Sequence, residues 1–92
     1  MKLIQWSAHA TQDIGRLHQF LAVLNPGAAA KVVRSVTQAP TSLQAMPRIG
    51  KRIEEFDPRE VRRLIVGNYE IRYEVTEAAI IVLRLWRTRE DR

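Results

Sequence analysis

The chain has 92 residues, 46% of them hydrophobic and 27% charged, which is typical of one globular domain over residues 1–92. It contains no cysteine, which excludes disulfide bonds, thiolate metal sites and a cysteine nucleophile. Lys and Arg number 15 against 10 Asp and Glu, a net charge of +5. This charge favours an anionic partner such as nucleic acid, a ribosome or an acidic protein.

The first part of the sequence predicts a short strand and two helices. Residues 2–6, KLIQW, alternate weakly as a strand does, and Ser7 is a typical helix N-cap. Asn25 and Pro26 end the first helix and begin the second, with Asn25 as N-cap and Pro26 at the first helical position. Because the link is so short, we expect the two helices to lie antiparallel. Their apolar stripes consist of Ala10, Ile14, Leu17, Leu21 and Leu24, then Ala29, Val32, Val33 and Val36.

After residue 50 the hydrophobic period changes to two, which predicts strands. Asp57–Pro58 and Gly67–Asn68 are typical turn pairs, and the second predicts a tight hairpin. The run IIVLRLW is apolar on both faces, as in a central strand. The predicted strands cover residues 52–56, 60–66, 69–75 and 79–86.

These elements predict an α+β fold in two layers. An antiparallel sheet of about four strands, together with an N-terminal strand, carries the antiparallel two-helix hairpin on one face. Alternation places Tyr69, Ile71, Tyr73 and Val75 on one side of their strand. The opposite sheet face is then expected to have no cover, and it would carry Glu70, Arg72 and Glu74 together with Arg62 or Arg63.

Four motifs span essentially the whole chain in a familiar order. They are N-P-x-A-A at 25–29, P-x-x-G-K at 47–51, R-x-L-x-V-x-x-Y-x-I-x-Y at 62–73, and V-L-R-L-W-x-T-R-E at 82–90. Together they resemble the RelE/ParE superfamily of bacterial toxins, which act in type II toxin–antitoxin and plasmid stabilization systems. The resemblance implies the same α+β fold and a cognate antitoxin that holds the toxin inactive in a hetero-oligomer. It also implies that operator DNA is bound only through the antitoxin.

The superfamily divides by target. RelE-like members are ribosome-dependent mRNA endonucleases, whereas ParE-like members inhibit DNA gyrase and need no nuclease chemistry. Cleavage at a 2′-hydroxyl needs a group that takes the proton and another that protonates the leaving oxygen. Related chains often have a histidine where this chain has Arg87, and no tyrosine follows Trp86. His9 and His18 lie on the first predicted helix, and Tyr69 and Tyr73 are expected in the core, so the catalytic residues are unknown.

We therefore interpret the chain as a ParE-like gyrase inhibitor rather than an enzyme. The alternative is a RelE-like ribosome-dependent mRNA endonuclease, and a third possibility is an inactive relative that still binds its antitoxin. The resemblance implies that Arg62 and Arg89 occupy phosphate-contacting positions. The predicted target-binding residues are Arg62, Arg72, Arg84, Trp86, Arg87 and Arg89.

Simpler interpretations remain for these residues. Arg72 would also suit cross-strand charge pairing with its neighbours, and Arg87 and Arg89 would suit a solvated tail. We expect no cofactor and no metal, because the two histidines are nine positions apart and the glycines do not cluster into a phosphate-binding loop. The longest apolar stretch, near residues 78–83, is far shorter than the ~20 residues of a membrane helix. We also find no signal-peptide pattern, so we expect a cytoplasmic protein without membrane contact.

Overall fold

The structure is a computed structural model, and it describes residues 2–88. Two helices, α1 (Ala8–Leu24) and α2 (Pro26–Gln38), follow the first strand, β1 (Leu3–Trp6). A 3-10 helix (Ala39–Gln44) then leads into the second half of the sheet. The remaining elements are β2 (Lys51–Arg52), a 3-10 turn (Glu54–Phe56), β3 (Val61–Val66), β4 (Tyr69–Val75) and β5 (Ala79–Arg87).

The five strands form one sheet in the order β1-β5-β4-β3-β2. This arrangement confirms the predicted α+β fold, but β1 pairs with β5 in parallel, so the sheet is not purely antiparallel. The predicted strand over 52–56 is wrong in length. Only Lys51 and Arg52 pair with β3, and the chain then turns because the amide of Asp57 donates to the carbonyl of Glu54.

The predicted caps fix both helix starts. The Ser7 hydroxyl accepts from the amide of Ala10 at 3.0 Å, and the Asn25 side chain accepts from the amide of Ala28 at 3.1 Å. The Asn25 amide also donates to Leu21 at 2.8 Å, so this residue ends α1 and begins α2. The predicted apolar stripe of α1 was wrong at its last residue, because Leu24 is 70% exposed and does not enter the core.

The core lies between the helices and one face of the sheet. Tyr69, Ile71, Tyr73 and Val75 are buried there, as alternation predicted. Two clusters make up this core. One centres on Ala10, Val36, Tyr69, Ile71, Val82 and Leu85, and the other on Leu43, Tyr73, Val75 and Ile80.

The opposite face, called the outer face below, is not as open as expected. The 3-10 turn lies over part of it, since the Phe56 ring centroid is 5.4 Å from the Arg72 guanidinium carbon. The strand register also decides between the two adjacent arginines of β3. Arg63 pairs with Arg72 and belongs to the outer face, whereas Arg62 pairs with Tyr73 and belongs to the core side.

Within residues 2–88, neither helix combines the length and the apolar character that a bilayer crossing needs.

Candidate functional site

A row of cations crosses the outer face at right angles to the strands. Lys51 lies directly opposite Arg63, and Arg63 lies directly opposite Arg72. We call these three residues the cationic row. Like charges directly opposite each other on neighbouring strands destabilise a sheet. The cationic row therefore lowers the stability of the sheet, and core packing gives no reason for it. Its buried neighbour Glu70 approaches Arg63 and Arg72 only to 3.8 and 3.9 Å, beyond hydrogen-bonding distance.

Arg72 is held between two aromatic rings. Its guanidinium carbon lies 4.8 Å from the Trp86 ring centroid and 5.4 Å from that of Phe56. Its Nε is buried and has no hydrogen-bond partner among the described residues. These cation–π contacts leave the other N–H groups of the guanidinium available for acceptors. Carboxylate and phosphate groups meet that requirement in a bidentate manner.

A shallow pocket of about 450 Å³ lies over the cationic row. Besides the row itself, Arg52 adds a fourth cation to its lining, against the carboxylates of Glu54, Glu55 and Glu70. The pocket is therefore a surface of mixed charge in which the cations are in slight excess. An anionic group of a partner would compete with Glu70 for Arg63 and Arg72.

A second opening, of about 330 Å³, lies between α1 and β5. We call it the edge cleft. Its lining has three arginines and an apolar floor, and its single carboxylate is that of Asp13. The lining residues are Asp13, Arg16, Leu17, Phe20, Arg84, Leu85, Trp86 and Arg87. Trp86 therefore borders the edge cleft and also stacks on Arg72.

Asp13 is the most highly connected polar group of the edge cleft. Its carboxylate accepts from Arg84 Nε at 2.8 Å and Nη2 at 3.2 Å, from the amide of Leu85 at 3.0 Å, and from Arg16. Burial alone raises the pKa of Asp13, but the hydrogen bonds from Arg84 and Leu85 and the charges of Arg84 and Arg16 outweigh it. The net effect lowers this pKa below its usual 3.8, so the carboxylate stays ionised at neutral pH.

Arg62 secures the loop before β2 instead of facing outward. Its side chain is only 15% exposed, and its Nη1 donates to the carbonyl of Gly50 at 2.7 Å. Its Nε donates to Glu60 at 2.8 Å. The buried hydroxyl of Tyr73 accepts from the amide of Gly50 at 3.0 Å and donates to the carbonyl of Pro47 at 2.8 Å. Burial raises the pKa of Tyr73, so its hydroxyl stays protonated.

The structure thus distributes the predicted target-binding residues over several places. Arg72 lies on the outer face, Arg84 and Arg87 line the edge cleft, and Trp86 joins the two. Arg62 lies on the core side, and Arg89 lies outside the described residues. Sequence analysis did not single out Lys51, Phe56 or Asp13. Only the strand register could have indicated Lys51, because it lies opposite Arg63.

The family follows from a comparison of the sequence with known protein families. The family described as the ParE toxin of type II toxin–antitoxin system, parDE, matches residues 4–92. The chain belongs to this family. No curated protein matches the sequence. Among solved structures, this ParE-family chain is similar to a chain of the chromosomal ParDE TA system from P. aeruginosa. The two are 24% identical with a TM-score of 0.79, and the match covers 95% of this chain and 96% of that one, which supports the fold.

The ion pairs of Glu60 make stability depend on pH. Burial raises the pKa of Glu60, but its hydrogen bonds to Arg62 and Arg48 and the charges of both arginines lower it overall below 4.5. Because the folded-state pKa lies below the unfolded one, the stabilisation is present above the unfolded value and is lost as pH falls through the folded value. Urea unfolding should show Glu60→Gln to be less stable than the parent at pH 7, with the difference disappearing as the pH falls through the lowered folded-state pKa of Glu60. The matched control is Glu55→Gln, at an exposed position; a difference that persists in acid would contradict the assignment.

Proposed function

We propose that this ParE-family toxin inhibits DNA gyrase by trapping its cleaved-DNA complex, and that its cognate antitoxin neutralises it. The observation that carries this proposal is the cationic row with Arg72 stacked between Phe56 and Trp86. Such a surface can bind carboxylates or phosphates tightly without changing them chemically. It is suited to holding a macromolecular target in one state.

The positions of the proton carriers support inhibition rather than cleavage. His9 and His18 are exposed on α1, which packs on the core face of the sheet, away from the cationic row. The Tyr73 hydroxyl points inward to Pro47 and Gly50. No histidine or tyrosine of residues 2–88 lines the pocket over the row. The lining offers the carboxylates of Glu54, Glu55 and Glu70 instead, so an mRNA endonuclease would have to take the proton with one of these glutamates.

Pulse-labelling after induction of the toxin without antitoxin tests this proposal. DNA and protein synthesis are followed side by side in the same culture. We expect DNA synthesis to stop first, because gyrase arrest blocks replication before it limits translation. An earlier stop in protein synthesis would favour the RelE-like endonuclease, and normal rates of both would indicate an inactive relative. Either of these two results would contradict gyrase inhibition.

The edge cleft is the surface that we assign to the antitoxin. Beside it, the end of α1 exposes three apolar side chains, with Phe20 53%, Val23 85% and Leu24 70% exposed. Exposed apolar groups next to Arg16, Arg84 and Arg87 suit an amphipathic segment that carries carboxylates. A segment seated there would cover Trp86, which also supports Arg72. Occlusion of Trp86 therefore explains how one partner could neutralise the outer face.

A charge at the end of α1 is expected to weaken antitoxin binding. Val23→Asp should raise the dissociation constant of the antitoxin about tenfold or more, because it places a carboxylate in the apolar part of the contact and beside an acidic partner. Calorimetric titration with the purified antitoxin measures this constant. Met46→Asp is the control, since Met46 is comparably exposed at 56% but lies outside α1 and the edge cleft. Equal effects of the two substitutions would contradict the assignment.

A further inference from the structure

An irregularity in β5 determines which of its side chains face outward. Arg72 lies opposite Arg84, but the next residue, Tyr73, lies opposite Val82. Leu83 is therefore an extra residue in β5, as in a β-bulge. The insertion allows both Val82 and Leu85, three positions apart, to enter the core, where they are 0% and 3% exposed. It also sets the face of the sheet to which each later side chain of β5 points, including that of Trp86.

The first turns of α1 hold this bulge from the side. The Ser7 hydroxyl donates to the carbonyl of Leu83 at 2.8 Å, and the Ser7 amide donates to Val82 at 2.9 Å. On the other side of the bulge, Asp13 accepts the amide of Leu85 at 3.0 Å. Since β1 pairs with β5 only as far as Val82, these side chains satisfy backbone groups that no neighbouring strand reaches.

The same carboxylate fixes Arg84, the residue that directly follows the bulge. Arg84 places Nε and Nη2 on the two oxygens of Asp13, in a bidentate pair. The Arg84 side chain is 44% exposed, whereas that of Asp13 is 3% exposed. Asp13 is therefore the buried anchor, and Arg84 is the group presented to the solvent. Its orientation is set by the carboxylate behind it.

We propose that Asp13 is a positioning residue for the target-binding surface. Its carboxylate locks the β5 bulge and orients the Arg84 fork beside Trp86. Asp13 itself does not touch the target and acts only through Arg84 and β5. The proposal rests on the proposed function, because it takes gyrase inhibition as the activity that a correctly oriented Arg84 supports.

Two substitutions separate the two contacts of Asp13. Asparagine can place its carbonyl oxygen where Oδ2 accepts from the Leu85 amide and from Arg84 Nε, but its amide nitrogen cannot accept from Arg84 Nη2, so the bidentate fork is lost. Alanine loses all three contacts. Hydrogen exchange followed by NMR is therefore expected to show a protected Leu85 amide in the parent and in Asp13→Asn, and faster exchange in Asp13→Ala. The Arg84 Nη2 protons should exchange slowly only in the parent. Arg84 Nη2 protons that exchange as slowly in Asp13→Asn as in the parent would overturn the proposal, and this readout does not depend on the target.

Inhibitory potency provides the functional test. Asp13→Asn is expected to lose about tenfold in gyrase inhibition, close to the loss in Arg84→Ala, because charge-assisted hydrogen bonds have about that effect. The double variant should be no weaker than Arg84→Ala alone, since Asp13 acts through Arg84. The proposal would be overturned if the losses of the two single variants multiplied in the double variant, or if Asp13→Asn kept the full potency of the parent. Should the parent itself leave gyrase unaffected, the proposed function fails, while the exchange data still test the positioning.

If Asp13→Asn does not fold, Arg84→Lys provides a second test of the positioning role. This variant leaves Asp13 and its bond to Leu85 in place and removes only the bidentate fork. We expect a loss of potency of about threefold to tenfold with an unchanged Leu85 amide. A thermal unfolding midpoint close to that of the parent serves as the folding control. Parental potency in Arg84→Lys would overturn the proposal.

Discussion

Replacing Gly50 with alanine is expected to lower the free energy of unfolding by about 3 kcal/mol, since overpacking and broken buried hydrogen bonds each cost roughly 1–3 kcal/mol. A Cβ at this position would lie 2.6 Å from the backbone oxygen of Arg63 and 2.6 Å from the Tyr73 hydroxyl. Gly50 is buried, and both neighbours are themselves fixed. A 92-residue domain has a total stability of roughly 5–14 kcal/mol, so this loss is a large fraction.

The effect of Gly50→Ala follows from the way the loop before β2 is held. The Gly50 amide donates to Tyr73, and its carbonyl accepts from Arg62. Gly15→Ala is the matched control, because no atom lies within 4 Å of a Cβ at that exposed helical position. This control should gain about 0.5–1 kcal/mol from helix propensity. Urea denaturation measures both, and a Gly50→Ala variant as stable as the parent would contradict the described loop.

Replacing Arg72 with alanine is expected to reduce gyrase inhibition at least about tenfold, because the loss of a charge-assisted hydrogen bond costs about 1.5–3 kcal/mol. The substitution removes the member of the cationic row that lies against Phe56 and Trp86. Arg72→Lys restores the charge but neither the planar fork nor the stacking. We therefore expect Arg72→Lys to remain impaired, which separates directional binding from simple charge attraction.

Two controls accompany the Arg72 series. Arg34→Ala removes one positive charge from an exposed position on α2, outside both the pocket over the row and the edge cleft. Its potency should stay within about twofold of the parent, as expected for a remote surface change. Antitoxin affinity and thermal unfolding of Arg72→Ala report on the fold. Equal inhibition by Arg72→Ala and the parent would show that the outer face does not contact the target.

Much of the fold was predictable because its signals are local. Ser7 and Asn25 have side chains that accept from the backbone three residues later, and the residue type alone indicates this. The strict alternation over residues 69–75 indicates β4 with its bounds and its buried face. Gly67, with a φ of 60°, occupies the hairpin turn where glycine is favoured. Each of these features depends on a few neighbouring residues.

The parts that were missed depend on contacts between distant segments. In β3, both alternating sets contain apolar residues, so the pattern could not decide whether Arg62 or Arg63 faces outward. Leu64 pairs with the core residue Ile71, and this places Arg62 on the core side and Arg63 on the outer face. The register depends on β4, which is a separate segment of the chain. The bulge in β5 could not be predicted, because the residues leading up to Leu83 are apolar on both faces and show no break in alternation. The sequence did not indicate a role for Asp13, because its partners Arg84 and Leu85 are 71 and 72 positions away.

Cleavage assays with purified gyrase and supercoiled plasmid test the central claim most directly. The parent toxin is expected to increase the amount of gyrase-linked, cleaved DNA, and Arg72→Ala should not. Prior addition of the cognate antitoxin should abolish the increase, and ribosome-bound mRNA should stay intact in a parallel reaction. If the parent toxin instead cuts the mRNA and leaves gyrase unaffected, the chain is an endonuclease and the assignment of the outer face to gyrase is wrong.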